Sequence, residues 1–229
     1  MVKNVIITGT SSGIGYELVK FFSNQGHNVL ALSRNSQPTE EINSSNIHSI
    51  SFDINNNSDH KLLVEYISKN WDHVDILINN AGLLINKPFS ETTTEDFNNI
   101  YATNVFGVAA LINNMLPFAV KGTHVINISS VGGVQGSVKF SGLSAYSSSK
   151  GALISLTELL AEEYKNEGII FNVLALGAVQ TKMLEKAFPG YKANCSPKEM
   201  AKYIHDFSIN TNTVSKGRVI LVSDITPSR

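Results

Sequence analysis

The chain has 229 residues, of which 42% are hydrophobic, and its formal net charge is -1 at pH 7. This length and hydrophobic content suit an α/β domain with a substantial buried core, so we expect residues 1–229 to form a single domain. The 18 basic and 19 acidic residues nearly balance and form no block. The chain therefore lacks the single-sign field expected of a protein that binds nucleic acid or an anionic membrane surface.

Other composition features exclude further classes of protein. Cys195 is the only cysteine, which excludes an internal disulfide, and its neighbours offer no metal-ligand pattern. The six histidines are scattered without a metal-binding motif, so we expect no metal site and assign them to polar surface or loop positions. No apolar run approaches the roughly 20 residues that a membrane span needs, and no basic leader precedes the first apolar run. We expect a cytoplasmic protein.

Short apolar, β-branched runs recur along the chain and indicate strands that are buried on both faces. The predicted strands cover residues 4–8, 28–32, 47–52, 74–78, 123–128, 169–174 and 218–222. Segments with helical spacing alternate with them, over residues 14–25, 58–70, 94–120, 144–166 and 197–209. This alternation predicts an α/β fold with a doubly wound parallel sheet of about seven strands, helices on both faces, and ligand at the carboxyl ends of the strands.

A glycine-rich turn joins the first predicted strand to the first predicted helix. Its residues are Gly9, Thr10, Ser11, Ser12, Gly13, Ile14 and Gly15. The glycines let backbone amides approach a pyrophosphate, whose negative charge then faces a helix N-terminus. The spacing differs from the usual G-x-G-x-x-G, so the interpretation depends on the strand before and the helix after. The turn predicts a Rossmann-like dinucleotide site formed by these seven residues.

The end of the second predicted strand indicates which dinucleotide is bound. An Asp at this point would accept a hydrogen bond from the adenosine 2′-hydroxyl. The chain instead carries Ser33 and Arg34, a hydroxyl and a guanidinium suited to a 2′-phosphate. We therefore expect NADP(H) as the preferred cofactor, with NAD(H) possible. The alternative interpretation is that Arg34 is an ordinary solvated surface residue.

Tyr146 and Lys150 lie four residues apart, so a helix would place both on one face. Together with a phosphate-binding turn, this pair indicates carbonyl reduction, because hydride delivered to a carbonyl carbon leaves an oxyanion that needs a proton donor. Tyr146 is the predicted donor. At roughly 5 Å and an effective dielectric of about 20, the cation would favour the phenolate by about 3 kcal/mol, or roughly two pKa units. We expect the pKa of Tyr146 to move towards physiological pH.

Several segments carry a family resemblance. They are the turn at residues 8–15, Asn79-Asn-Ala-Gly82, Asn104, Ser130 and Tyr146-Ser-Ser-Ser-Lys150. In their order and placement they resemble the short-chain dehydrogenase/reductase family almost from end to end. The resemblance implies an oxidoreductase that transfers hydride between NADP(H) and a small carbonyl or alcohol substrate.

By this resemblance, the catalytic residues are Asn104, Ser130, Tyr146 and Lys150. Ser130 would orient and polarise the substrate carbonyl, and Ser129 is the alternative candidate. Asn104 would hold a water that leads from the lysine to solvent, although it could also be a merely tolerated polar residue in a helix. Lys150 would also hydrogen-bond the nicotinamide ribose.

The resemblance implies cofactor contacts beyond the turn and the Tyr146–Lys150 pair. They are Asp53 and Ile54 with the adenine, Asn80, Ala81 and Gly82 with the adenosine ribose, and Val179 and Thr181 with the nicotinamide carboxamide. Asn79 is a different case, since we expect its side chain to tie neighbouring strands together.

The chain departs from the family pattern around the substrate. Leu176 precedes Gly177 where relatives carry proline, so we expect a looser turn there. Residues 131–143 form a longer loop than usual, and with residues 177–197 they supply the candidate substrate wall. Its members are Gln135, Lys139, Phe140, Leu143, Met183, Leu184, Phe188 and Tyr191. An apolar wall favours a hydrophobic or mixed carbonyl compound, but these residues could equally form a lid that packs on itself.

Two further expectations concern assembly and rival functions. Relatives pair helices that correspond to residues 94–120 and 144–166, so we expect a homodimer or homotetramer. The leucines that could serve are Leu153, Leu156, Leu159 and Leu160, and packing against the sheet would explain some of them equally well. The alternatives to a carbonyl oxidoreductase are a non-catalytic NAD(P)-sensing regulatory protein, or a related enzyme that performs epimerisation or dehydration.

Overall fold

The computed structural model describes residues 1–210 and 217–223, and these contain a seven-stranded parallel sheet. The strands are β1 (Asn4–Thr8), β2 (Asn28–Ser33), β3 (Ile47–Ser51), β4 (Val74–Asn79), β5 (Ala119–Ser130), β6 (Ile170–Leu176) and β7 (Val219–Val222). Their order in the sheet is β3-β2-β1-β4-β5-β6-β7, so the winding direction reverses between β1 and β4. The predicted doubly wound sheet is confirmed, and its reversal point is where such folds form a ligand crevice.

Helices cover both faces of the sheet. They are α1 (Gly13–Asn24), α2 (Gln37–Glu40), α3 (Asn57–Asn70), α4 (Thr94–Tyr101), α5 (Gly107–Met115), α6 (Ser144–Glu163), α7 (Lys182–Ala187) and α8 (Pro197–Asn210). Successive strand residues point to opposite faces: Val5 and Ile7 pack with α1 and α8, while Ile6 packs with α3, α5 and α6. The sheet is therefore buried on both sides, which explains the continuously apolar strands in the sequence.

The long helix predicted over residues 94–120 is wrong. A π-helical turn, Ala102–Phe106, separates α4 from α5, and α5 ends at Met115. Pro117 follows in a short 3₁₀ turn, where its missing N–H cannot continue the helix, and β5 already begins at Ala119. The bounds of the other predicted strands and helices agree with the structure to within four residues. The short helices α2 and α7 were not predicted.

Most of the histidines are also not where the sequence suggested. His27, His60, His124 and His205 are buried, contrary to the expected surface or loop positions. Burial lowers the pKa of His124 to about 4, and its ring contacts the Ser208 carbonyl oxygen and the Asn172 side chain. The His124 ring is therefore neutral at pH 7. In the part of the chain that the structure describes, no group of three or more His, Cys, Asp or Glu residues is placed to hold a metal ion.

Within residues 1–210 and 217–223, none of the helices has both the length and the apolar character that crossing a membrane requires.

Candidate active site

A cleft of about 1040 Å³ opens at the carboxyl ends of the central strands, and most of the predicted site residues line it. Those on its surface are Gly9, Ser11, Ser12, Gly13, Ile14, Ser33, Arg34, Asp53, Ile54, Asn80, Ala81, Gly82, Ser130, Tyr146, Lys150, Val179 and Thr181. Thr10, Gly15 and Asn104 are buried beneath this surface, so they support the cleft without facing it.

The glycine turn takes a shape that other residues would not permit. Gly9 and Gly13 have φ of +73° and +60°, a left-handed region that favours glycine. A Cβ on Gly15 would lie 2.2 Å from the Gly9 carbonyl oxygen, so the turn closes tightly on the first turn of α1. The hydroxyl of buried Thr10 has no hydrogen-bond partner among the described residues. The shape of the turn therefore depends on glycine at positions 9, 13 and 15.

The N-terminus of α1 fits the pyrophosphate that the sequence predicts for it. Ser12 occupies the N-cap position without a side-chain capping hydrogen bond, and no acidic residue lies in the first turn. The first backbone N–H groups of the helix are thus left without a capping acceptor beside the cleft. Uncapped amides and the positive end of the helix dipole both favour a bound phosphate.

A second loop supports the glycine turn from the side of β4. The Asn80 side-chain amide donates to the carbonyl oxygens of Thr8 and Gly9, at 3.0 and 3.3 Å. In return, the Thr8 hydroxyl accepts hydrogen bonds from the backbone N–H groups of Asn80 and Ala81, both at 3.0 Å. These four bonds join the two loops at the reversal point of the sheet, so Asn80 shapes the cleft as well as lining it.

At the adenosine end of the cleft, the two residues predicted to select the cofactor differ in their hydrogen bonding. The Ser33 hydroxyl donates to the Asn35 carbonyl oxygen at 2.7 Å, so its single proton is already committed. Arg34 is exposed on the cleft surface. Its guanidinium forms no hydrogen bond or ion pair with any residue in the described ranges. Arg34 is therefore the group that remains available to a 2′-phosphate.

The central side chains converge at the ends of β5 and α6. The Lys150 ammonium lies 5.8 Å from the Tyr146 ring centroid, as expected for one helix face, and donates to the Ile128 carbonyl oxygen at 2.8 Å. The Ser130 side chain lies close enough to the Tyr146 hydroxyl to favour its ionised form. The Ser129 hydroxyl instead donates to the Lys150 carbonyl oxygen at 2.9 Å. Of the two serines, Ser130 is the one paired with the phenol.

Burial changes the pKa of both groups in the pair. It raises the pKa of Tyr146 to about 12, partly opposed by the nearby Ser130 side chain, and it lowers the pKa of Lys150 to about 8. The predicted shift of Tyr146 towards physiological pH is wrong for the protein by itself. Desolvation of the phenolate outweighs the attraction of a cation that is itself desolvated and turned towards a backbone carbonyl.

Asn104 lies in the π-helical turn and connects two parts of the site from below. Its side-chain oxygen accepts from the Leu83 N–H at 2.7 Å, and its amide donates to the Leu83 carbonyl oxygen at 2.9 Å and to the Ser149 hydroxyl at 3.0 Å. Ser149 in turn donates to the Tyr146 carbonyl oxygen at 2.7 Å. Asn104 thus fixes the segment after β4 against the helix turn that carries Tyr146.

The predicted substrate wall lies around the outer half of the cleft. Its members on the cleft surface are Gln135, Phe140, Leu143, Met183, Leu184, Phe188 and Tyr191. Lys139 is the exception, because its ammonium is directed towards the Gly132 carbonyl oxygen and the Ser137 hydroxyl, at 2.8 and 3.0 Å. Leu176 is the last residue of β6, two residues beyond the predicted strand, and pairs with Val222, so strand pairing holds the residue at which we expected a looser turn.

Comparison with known proteins agrees with this geometry. The family profile described as short chain dehydrogenase matches residues 3–192. The chain belongs to this family. This short-chain dehydrogenase is 31% identical, over 87% of each chain, to an uncharacterized oxidoreductase of Staphylococcus haemolyticus. It is 32% identical to a fatty acyl-CoA reductase of Acinetobacter baylyi, over 88% of this chain and 71% of the relative. The assignment to the oxidoreductases follows from these matches.

A solved structure gives the same fold. The structure titled "ElxO with NADP Bound" is 27% identical and superimposes with a TM-score of 0.86, covering 97% of this chain and 98% of that one.

A buried polar chain behind the cleft was only partly predicted. The Asn79 amide donates to the Asn127 side-chain oxygen at 2.8 Å, so the predicted tie between strands is confirmed. The Asn127 amide donates to the Thr157 hydroxyl at 2.9 Å, which bonds the Leu153 carbonyl oxygen at 2.6 Å. These hydrogen bonds connect β4 and β5 to α6, the helix of this short-chain dehydrogenase that carries Tyr146 and Lys150. Its bonds join residues 48 and 30 positions apart, and no local pattern marked Asn127 or Thr157.

Proposed function

We propose that this enzyme interconverts a small carbonyl compound and its alcohol, using NADP(H) in preference to NAD(H). The proposal rests on one observation above all. Ser130, Tyr146 and Lys150 converge on the cleft surface, and the Lys150 ammonium lies 5.8 Å from the Tyr146 ring centroid. A bound nicotinamide cofactor would supply hydride for reduction or accept it in oxidation. The uncapped N-terminus of α1, Arg34 and Lys150 are the groups that would hold it.

The two hydroxyls have complementary tasks in this proposal. A carbonyl oxygen placed between Ser130 and Tyr146 would accept a hydrogen bond from each, which orients and polarises it. During reduction this oxygen gains negative charge, and Tyr146 gives it a proton. During oxidation Tyr146 acts as the base. Lys150 stabilises the phenolate that forms, and Asn104 is a positioning residue that holds the Tyr146 backbone through Ser149.

The substrate proposed for this cleft has an apolar body. Phe140, Met183 and Tyr191 lie on the cleft surface and keep 48%, 42% and 48% of their area exposed. Exposed large apolar side chains grouped around a pocket mark a ligand-binding surface more often than plain surface. The ammonium of Lys139 is held by its own loop and does not face this wall. The wall therefore favours an uncharged carbonyl compound.

One experiment tests the proposed reaction directly. Consumption of NADPH and of NADH would be followed across a panel of aldehydes, ketones, quinones and 3-oxo compounds, with Tyr146→Phe as the inactive control. Turnover that the control loses supports the proposal. Tight nucleotide binding without turnover of any compound would contradict it and favour a sensing role, and a changed product without net nucleotide consumption would favour epimerisation or dehydration.

The cofactor preference depends on Arg34, which yields a prediction. In Arg34→Gln we expect the Kd for NADPH to rise at least tenfold, because a charge-assisted hydrogen bond contributes roughly 1.5–3 kcal/mol, while the Kd for NADH stays unchanged. Titration of nucleotide fluorescence measures both constants. Arg218→Gln, a surface arginine before the amino end of β7, is the matched control. Equal weakening of NADPH and NADH binding by Arg34→Gln would contradict the assignment.

We further propose that two or four copies of the chain assemble through α4, α5 and α6. Leu153 is buried in the core, and Leu156 and Leu160 are partly buried against it, so packing within the chain accounts for these three. Leu159 is 67% exposed on α6, and Phe106 is 63% exposed between α4 and α5. These two side chains are the apolar surface that remains for a partner copy. The cytoplasmic location and the single domain stay predictions.

The assembly proposal has its own test. We expect Leu159→Glu to shift the protein to a smaller assembly, because the change buries a charge at the proposed contact. Light scattering coupled to size-exclusion chromatography measures the mass. Leu62→Glu on α3, where the native leucine is 53% exposed, is the control and should leave the mass unchanged. If Leu159→Glu and the wild type had the same mass, this face would not be the interface.

A further inference from the structure

Asn86 lies where three segments around the mouth of the cleft meet. It belongs to residues 83–88, which follow β4, and it is exposed. Its side-chain amide donates to the carbonyl oxygen of Ala187 at 2.7 Å, at the end of α7. This hydrogen bond joins positions 101 residues apart, and it connects the wall after β4 to the wall after β6.

The third segment, residues 131–143, contacts the same side chain. Gly142 has φ of +83°, and a Cβ added to it would lie 2.0 Å from the Asn86 side-chain oxygen. The backbone N–H of Lys87 donates to the Gly142 carbonyl oxygen at 2.9 Å. Only a residue without a side chain permits this approach. The Asn86 amide is therefore packed against one substrate loop while it bonds to the other.

Helix α4 anchors this junction. The Lys87 ammonium bonds the Asp96 carboxylate at 2.7 Å. Asp96 also accepts from the Thr93 backbone N–H at 2.8 Å and completes a capping box at the start of α4. Residues 83–88 are thus fixed at one end, so loss of the hydrogen bond from Asn86 would free the segment after β6 and leave residues 83–88 in place.

The side chains held by this junction are the ones that enclose the substrate end of the cleft. Leu84 lies in the anchored segment, Phe140 and Leu143 lie in the second, and Leu184 and Phe188 lie in or beside α7. We propose that Asn86 determines substrate specificity by tying these walls together and so limiting the size of the carbonyl compound that enters. The substrate in this inference rests on the proposed function of the cleft. The contacts of the junction do not depend on that function.

Two variants separate the contacts of Asn86. Asn86→Asp keeps the shape of the side chain and removes the donor to Ala187, and Asn99→Asp on exposed α4 surface is its control. Gly142→Ala drives the Asn86 amide from its position, and Gly26→Ala is its control, since Gly26 has φ of +78° but nothing within 4 Å of an added Cβ. Asn99→Asp therefore introduces the same charge, and Gly26→Ala the same backbone strain, at a position outside the junction.

Hydrogen exchange and substrate selection are then measured on the same proteins. We expect amide exchange within residues 182–191 to rise about fivefold in Asn86→Asp and Gly142→Ala, which corresponds to the loss of one ordinary hydrogen bond, and to stay unchanged in both controls. The ratio of kcat/KM for 2-acetylnaphthalene to kcat/KM for acetophenone should rise by a similar factor, while the Kd for NADPH stays the same.

The outcomes are distinguishable. Unchanged exchange in residues 182–191 overturns the junction, and raised exchange with an unchanged size preference overturns its role in specificity. If the wild type reduces neither ketone nor any other carbonyl compound of the panel, the proposed function fails. The exchange measurement then still decides whether Asn86 holds the two walls together.

Discussion

Replacing Tyr146 with Phe is expected to lower kcat by roughly 10²–10⁴-fold, the contribution typical of a positioned acid or base. The change removes one hydroxyl from the cleft surface and leaves the ring packed on α6. Because the pKa of this phenol is raised to about 12 by burial, Tyr146 is fully protonated at neutral pH and ready to act as an acid. The effect should therefore be large in the direction of carbonyl reduction, measured by NADPH consumption at pH 7.

A control and a binding measurement complete this test. Tyr203→Phe, on the surface of α8, should retain the wild-type kcat. The Kd for NADPH should change little in Tyr146→Phe, because the residues proposed to hold the phosphate and adenosine groups lie elsewhere in the cleft. A variant that kept more than about a tenth of the wild-type kcat would exclude Tyr146 as the proton donor.

Replacing Lys150 with Met is expected to remove most turnover and to move the acidic limb of the alcohol-oxidation pH profile upwards. Oxidation needs the Tyr146 phenolate, and the ammonium lies 5.8 Å from its ring centroid. At that distance and an effective dielectric of about 20, the cation favours the phenolate by about 3 kcal/mol, so its loss should shift the limb by about two pH units. The rate of oxidation as a function of pH measures this shift.

The pKa of Lys150 sets the range of pH in which the rates of the wild type and Lys150→Met should differ most. Burial lowers that pKa to about 8, so the ammonium is present below about pH 8 and is lost above it. The ratio of wild-type to Lys150→Met rates should therefore be largest below about pH 8 and smaller above it. Lys61→Met on exposed α3 surface is the control. A constant ratio from pH 6 to pH 10 would show that the charge of Lys150 plays no part.

For Tyr146 and Lys150, the local sequence pattern predicted the relative position of the side chains but not their pKa values. Their shared helix face followed from a spacing of four, which depends only on helix geometry. The direction of the pKa shift did not follow, because desolvation depends on which distant segments cover the pair. The choice between Ser130 and Ser129 as the serine beside the phenol also depends on distant packing. Their hydroxyls point to different partners, and only the packing of β5 against α6 shows which one meets Tyr146.

Some features of the fold were likewise predictable from local sequence, and others were not. The strands, the glycine turn and the order of the motifs were readable from the sequence, since periodicity and turn chemistry act over a few residues. The break in the helix predicted over residues 94–120 was marked locally by Pro117, yet the π-helical turn at Asn104 was not. Four buried histidines were also missed, because a polar side chain enters a core only where neighbours from elsewhere in the chain accept it.

Residue type and short spacing were enough to predict the family, the parallel sheet, the glycine turn and the shared helix face of Tyr146 and Lys150. The protonation of that pair, the partner of Asn86 and the hydrogen bonds through Asn127 followed only from the folded structure. Each of these depends on contacts between residues far apart in the chain and on the water that such contacts exclude. Burial and long-range hydrogen bonds form only when the sheet is assembled, so no local pattern encodes them.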